Sequence, residues 1–463
     1  MKDLSLAELG RRTARPERAL EVAEPCLGHA ASSQDPARSR ALLSVLGNSD
    51  FLARWARRYP ERAATVLDGE LGRPWRDEDY LAELHHLQAS GPGLSEAALV
   101  SALLEFKYRH LFRISLRDLG LGKPFNEIAG EFSGLARAVL QAALDWQNRS
   151  LHAEFGVPRL RKGAAEIPFA ALAMGKLGGD ELNFSSDVDL IYFYGSDEGS
   201  SGRGELGAHE YFTKLSERLS AFLQRKNAEG FLYRVDLELR PEGKAGALTN
   251  SLDAMEEYYE SFGAPWEKQA MIRASRAAGD AGLIAEFLRR IHPFVYPKLS
   301  DFSFLKDMKS MKEKIVQAVR ARPQRGFNLK LGDGGIREVE FFVQALQLLF
   351  GGRDPSLQIA NTLEAMKRLG RAGLIEPQEE AELSEAYVFL RTMEHRLQLV
   401  EEQQTHELPQ DTEELRALAR RMGYDDPQPD SAAERMLKDL ELRRQRVQSR
   451  FEALLSNRFE EKP

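Results

Sequence analysis

A single cysteine, Cys26, rules out a disulfide framework and suits a reducing compartment. An excess of positive charge is also missing. With 64 Lys and Arg against 71 Asp and Glu, the net charge is -7, which excludes broad nucleic-acid binding, because phosphate contacts demand a basic surface. No uninterrupted apolar run approaches the ~20 residues that span a bilayer. The opening Met-Lys-Asp-Leu-Ser-Leu-Ala-Glu-Leu-Gly, followed by Arg11, Arg12 and Arg15, lacks the apolar centre of a signal peptide. The expectation is a cytoplasmic protein with no membrane contact. At 463 residues it is long enough for two or three domains with their own cores.

The most informative stretch is Ala173-Met-Gly-Lys-Leu-Gly-Gly-Asp-Glu-Leu-Asn-Phe-Ser-Ser-Asp-Val-Asp-Leu-Ile-Tyr192. Asp187 and Asp189 open a run of β-branched and aromatic residues suited to a strand. Alternation then points both carboxylates the same way, roughly 6 to 7 Å apart from the ~3.3 Å rise per residue. Two such groups can share one or two Mg²⁺ ions, which prefer carboxylate oxygens and bring substrate phosphates with them. Read alone, the pair is more readily two solvated aspartates at a strand end, since Asp-x-Asp is common by chance.

The preceding context favours chemistry. The apolar Ile167–Met174 run ends at Gly175, and Lys176, Gly178 and Gly179 follow, so a strand enters a glycine turn whose N–H groups can meet phosphate. The turn is neither a Walker loop nor a dinucleotide fingerprint. Ser185 and Ser186, just ahead of the pair, are further candidate phosphate or nucleotide contacts.

A third carboxylate appears in Gly230-Phe-Leu-Tyr-Arg-Val-Asp-Leu-Glu-Leu-Arg-Pro241, where Tyr233, Val235, Leu237 and Leu239 alternate with Arg234, Asp236, Glu238 and Arg240. As a strand beside the first, it would complete a metal triad with Asp236 and offer Arg240 to a phosphate. Cross-strand ion pairs explain the same pattern.

Gly175, Asp187, Asp189 and Asp236 together resemble the DNA polymerase β-like nucleotidyltransferase superfamily. The resemblance implies that the three carboxylates hold Mg²⁺. It narrows further with Arg240-Pro-Glu-Gly-Lys-Ala-Gly246, Trp266-Glu-Lys-Gln-Ala-Met-Ile-Arg-Ala274, Lys330-Leu-Gly-Asp-Gly-Gly-Ile-Arg-Glu-Val-Glu-Phe341 and Pro355-Ser-Leu-Gln358. These motifs are similar to those of the glutamine synthetase adenylyltransferase/adenylyl-removing family.

That family carries two nucleotidyltransferase units, and the motif forms here are more similar to the adenylyl-removing one. The resemblance implies phosphorolysis of tyrosyl-AMP on glutamine synthetase, with inorganic phosphate entering and ADP leaving, and a PII-type regulatory protein as partner. The alternatives are ATP-dependent adenylylation of the same protein and a catalytically silent nucleotide- or PII-binding module. The absence of any His-Asp dipeptide gives no support to a metal phosphohydrolase releasing AMP with water. One departure stands out. Glu238 occupies a position where the family commonly has Arg, which puts part of an anion site in question.

The implied fold class is α+β: a polymerase β-like domain over residues 151–295, a helical region over 1–150 and a helical bundle over 296–463. The first region shows helical periodicity, as in Ser101–Ser115, and no chemistry; His85 and His86 read as structural. Phe304, Met308, Met311, Ile315 and Val319 form one apolar stripe. After Gly334-Gly335, Ile336, Val339, Val343, Leu346 and Phe350 mark a buried helix face, while Arg337, Glu340, Gln344 and Gln347 share another. Arg337 and the nearby Lys330 are candidate anion contacts on a second wall of the site. A last amphipathic helix is expected over Ser431–Phe459.

Overall fold

The computed structural model describes residues 13–89, 95–161, 165–203, 206–298, 326–424 and 429–456. The stripe from Phe304 to Val319 lies outside these described residues. The architecture is α+β, a small mixed sheet held between two sets of helices.

The N-terminal set runs through Pro16–His29, Pro36–Asn48, Asp50–Arg58, Pro60–Asp68, Asp77–Ala89, Glu96–Ser115 and Phe125–Phe155. Several starts follow from local chemistry. Asp35 accepts from the N–H groups of Ala37 and Arg38, Ser49 from Leu52 and Ser95 from Ala98, each satisfying donors that a helix leaves unpaired. The expected boundary at residue 150 falls inside the Phe125–Phe155 helix. His85 and His86 are exposed.

The sheet is built on strands Phe169–Ala173 and Val188–Tyr194, paired antiparallel. Ser275–Gly279 pairs antiparallel with the outer side of Phe169–Ala173. On its other side, Val188–Tyr194 takes Val235–Asp236 beside its start and Thr249–Ser251 beside its end, both parallel. Alternation sends Ala171, Ala173, Leu190, Tyr192 and Tyr194 into a core shared with the N-terminal helices and with helix Ala208–Gln224. Ala170, Leu172, Ile191 and Phe193 go to the other face, against helices Leu252–Ser261 and Ala281–Val295. Burial on both faces accounts for the unbroken apolar runs of these strands.

The C-terminal helices Ile336–Phe350, Thr362–Arg371, Pro377–Gln398, Thr412–Arg421 and Pro429–Leu455 enclose a third core. The last begins two residues before the expected Ser431, and Ala433, Met436, Leu440, Val447, Phe451 and Leu454 are buried as the spacing requires. Polar groups weld this bundle to the sheet domain. Tyr387 donates to Glu181 Oε2 at 2.8 Å, and Arg391 Nη2 donates to Asn183 Oδ1 at 3.0 Å. Arg396 Nη2 ties it to Asp118 Oδ1 of the N-terminal region at 2.6 Å. Among the described residues no helix is long and apolar enough to cross a membrane.

Candidate active site

Asp189 is the second residue of strand Val188–Tyr194, and its register partner on the parallel neighbour is Asp236. Asp187 lies just before the strand, so only Asp189 of the expected Asp-x-Asp pair is in the ladder. All three carboxylates line one cavity of about 280 Å³. The Gly175–Gly178 helical turn closes its floor, anchored by Met174 N donating to Asp189 O at 2.9 Å. Gly175 has φ +54°, and a Cβ there would come within 2.3 Å of Asp189 Oδ2. The residue must therefore be glycine on both backbone and steric grounds.

The opposite wall belongs to the C-terminal region. Lys330 and the first turns of helix Ile336–Phe350 bring Arg337, Glu340 and Gln344 to the same cavity, with Trp266 and Gln269 between the two walls. Gln269 donates to Gln344 at 2.7 Å, and Arg273 pairs with Glu340 at 3.2 Å. Burial pushes the Glu340 carboxyl up, but Arg273, Arg391, Arg337 and Lys330 outweigh it and hold the group below its usual range.

Burial and the neighbouring Asp236 push the Asp189 carboxyl up to about 6, against the pull of Lys330 and Lys176. Asp187 is held by Arg234 Nε, while Arg234 Nη2 donates to Ser185 O and Oγ, each at 3.0 Å. Burial lowers the Lys176 ammonium, and Glu394 Oε2 at 3.0 Å opposes the shift. Glu394 is wholly buried and also engages Asn183 Nδ2 and His406 Nδ1.

The donor set suits a hard divalent cation. Asp189 and Asp236 offer side-by-side oxygens whose mutual repulsion a cation would relieve, and the missing Cβ of Gly175 leaves Asp189 Oδ2 uncovered on that side. Among the described residues, no three carboxylate, imidazole or thiol groups are gathered so that they could together hold a metal ion. Asp187 would have to exchange Arg234 for a cation to serve as a third ligand. A larger hollow of about 410 Å³ beside Arg58 and Tyr59 contains none of the residues singled out from the sequence.

Comparison with known proteins decides the family. Residues 39–290 match the glutamate-ammonia ligase adenylyltransferase family, and residues 309–455 match GlnD PII-uridylyltransferase. The chain is 39% identical over 90% of its length to the bifunctional glutamine synthetase adenylyltransferase/adenylyl-removing enzyme of Thioalkalivibrio sulfidiphilus, and 41% identical over 83% of its length to that of Hahella chejuensis. It covers 42% and 40% of those relatives. The chain belongs to the glutamate-ammonia ligase adenylyltransferase family. Its match to a PII-uridylyltransferase over the C-terminal part is a likeness that the motifs alone had not suggested.

Within this adenylyltransferase fold, several expected anion contacts take other places. The expected Gly230–Pro241 strand is ladder-paired only at Val235–Asp236, and Asp236 Oδ1 then accepts from Glu238 N at 2.8 Å, turning the chain. Arg240 consequently donates to the carbonyls of Leu237, Lys244, Gly246 and Ala247 and does not line the cavity. Glu238 is exposed, pairs with Lys244 at 2.7 Å and does not line the cavity.

Gly178 and Gly179 also fall outside the cavity lining. A Cβ on Gly178 would lie 1.7 Å from Arg273 O and one on Gly179 3.1 Å from Ala360 O, so both serve close packing. Ser186 lines the cavity and its Oγ accepts from Asn183 N at 3.2 Å, whereas Ser185 supports Arg234. Gln347, expected beside Arg337, is buried and donates to Leu357 O and Ile359 O at 2.7 Å each. Glu394 and His406 gave no sequence signal, since they reach Lys176 only through the folded chain.

Proposed function

We propose that this cavity removes AMP from an adenylylated tyrosine of glutamine synthetase by phosphorolysis. Orthophosphate attacks the phosphorus of the tyrosyl-AMP diester, the bond from phosphorus to the tyrosyl oxygen breaks, ADP leaves, and the tyrosinate takes a proton from solvent. The observation that carries the direction is the PII-uridylyltransferase likeness over residues 309–455, which supplies Lys330 and Arg337. It joins the removing-unit form of the Asn183-Phe-Ser-Ser-Asp-Val-Asp189 and Gly334-Gly-Ile-Arg-Glu-Val-Glu340 motifs.

Asp187, Asp189 and Asp236 would hold Mg²⁺, which supplies neutralisation of phosphate charge and stabilisation of the departing oxygen when bound. Lys330 and Arg337 orient the anionic reactant from the opposite wall, a task suited to a planar guanidinium. Lys176, seated on Glu394, adds a fixed positive charge at the floor. Tyrosinate is a moderate leaving group, its parent pKa being about 10. A PII-type protein is the proposed regulator.

The second reading, ATP-dependent adenylylation at the same carboxylates, is favoured by the adenylyltransferase match over residues 39–290. The test is to incubate the protein with adenylylated synthetase, Mg²⁺ and phosphate, and separately with unmodified synthetase, Mg²⁺ and ATP. ADP in the first mixture alone supports removal; pyrophosphate in the second supports adenylylation.

A further inference from the structure

Among the described residues, Phe262 is 72% exposed and Trp266, four positions on, is 41% exposed. Both stand where helix Leu252–Ser261 passes into helix Pro265–Met271. The connection between them is tightly built. A Cβ on Gly263 would meet the Phe294 ring at 2.5 Å and Tyr259 O at 2.7 Å. Ala264 N donates to the buried Glu267 Oε2 at 2.8 Å, and Tyr258 Oη donates to Glu267 Oε1 at 3.1 Å. Phe262 is therefore presented to solvent by a fixed scaffold.

Trp266 lines the catalytic cavity together with Leu239. Phe262 lines an adjoining groove of about 230 Å³ with Pro241, Tyr258, Glu242 and Glu257. Tyr258 Oη, which donates to Glu267 beside Trp266 and accepts from Glu242 N at 3.2 Å, ties the two hollows together, so that Leu239 and Trp266 of the cavity are followed by Tyr258 and Phe262 of the groove. The nucleotide and phosphate of the proposed reaction would occupy the cavity, and neither needs a phenyl ring outside it. Large exposed apolar groups beside a site mark macromolecular contacts. Glu242 and Glu257 are exposed along this groove and form no ion pair among the described residues, leaving negative charge for a partner to meet.

We infer that this run of side chains is the docking surface for the protein that carries the adenylylated tyrosine. An apolar side chain near that tyrosine packs against Phe262 and Tyr258, and a basic side chain faces Glu242 and Glu257. The inference rests on the proposed reaction at the neighbouring carboxylates and adds where its protein substrate is held.

The experiment compares the wild type with Phe262→Ser and Glu257→Lys in phosphate-dependent ADP release from adenylylated glutamine synthetase, and measures ADP affinity for each by calorimetry with Mg²⁺. Phe262→Ser should lower kcat/KM by about tenfold through KM, in the range for loss of an interface anchor. Glu257→Lys should also raise KM, more at low than at high salt. ADP affinity should be unchanged in both. An unaltered KM in both variants, or an equal loss of ADP affinity, overturns the docking surface while leaving the reaction standing. No ADP release by the wild type overturns the proposed reaction and the docking inference with it.

Discussion

Asp189 and Asp236 are register partners on adjacent parallel strands, and the Asp236 charge raises the electrostatic cost of ionising Asp189. The Asp189 carboxyl, near 3.8 when unperturbed, is pushed up to about 6 by burial and by this neighbour. Because the folded value lies above the unfolded one, the native state binds the proton more tightly, and stability falls as pH rises from about 4 through 6. In metal-free protein at pH 7.5, Asp189→Asn should therefore raise stability by about 2 kcal/mol, after discounting for partial exposure. The gain should vanish below about pH 4. The same variant should lose turnover by at least ~10³-fold, the size expected when metal-type charge stabilisation is removed. Denaturant melts in EDTA at both pH values, with a turnover assay, check all three.

Mg²⁺ should reverse that balance. Thermal melting of the wild type should rise with added Mg²⁺, because a ligand that binds only the folded state stabilises it. Asp189→Asn and Asp236→Asn should show little or no shift. Differential scanning fluorimetry over a Mg²⁺ titration makes the comparison, and an equal shift in wild type and variants would remove these carboxylates from the metal site.

Glu394 joins the C-terminal bundle to the cavity floor through Lys176 at 3.0 Å, with Asn183 and His406 on the same carboxylate. Removing one partner of a buried charge network costs about 3–5 kcal/mol, so Glu394→Ala should destabilise the fold by that amount. Lys176, Arg391 and His406 hold the Glu394 carboxyl well below its usual range despite burial. Its contribution is thus present above about pH 4.5, the ordinary glutamate value, and is lost as pH falls toward the lower folded value. Acid unfolding should begin at higher pH in wild type than in a variant that lacks this term, once both are scaled to equal stability at pH 7.

Arg337 and Arg240 separate the two roles that the sequence had grouped together. Arg337→Ala should raise KM for phosphate roughly tenfold, the cost of one charged hydrogen bond, with melting temperature nearly unchanged. Arg240→Ala should instead loosen the 237–247 turn, whose carbonyls it gathers, and lower melting temperature before it alters KM for phosphate. Steady-state kinetics over a phosphate series, paired with melting curves, distinguishes them.

The parts of the site that could be read beforehand are those written in local pattern. Gly175, Asp187 and Asp189 sit on one strand-and-turn unit, and the alternation around Asp236 was enough to place it beside them. Arg240 was misread because its direction depends on a turn that Asp236 itself caps, an event alternation cannot express. Gly178 looked like a phosphate turn because a tight approach to Arg273 O, 273 being far along the chain, leaves no local trace. Lys176 and Glu394 are 218 positions apart, and Glu394 lies in a helix whose periodicity only says that it is buried. The helical regions were legible in outline, and the division near residue 150 lies within the Phe125–Phe155 helix, whose periodicity carries no sign of where one region gives way to the next.

The central claim is that orthophosphate is the acceptor of AMP at the Asp189–Asp236 site. The most direct measurement supplies ³²P-labelled orthophosphate with Mg²⁺ and adenylylated glutamine synthetase, and follows the label. The account predicts label in the β-phosphate of ADP, with free tyrosine restored on the synthetase and no such product from Asp189→Asn. Release of unlabelled AMP, or labelled ADP formed equally well by Asp189→Asn, would contradict it.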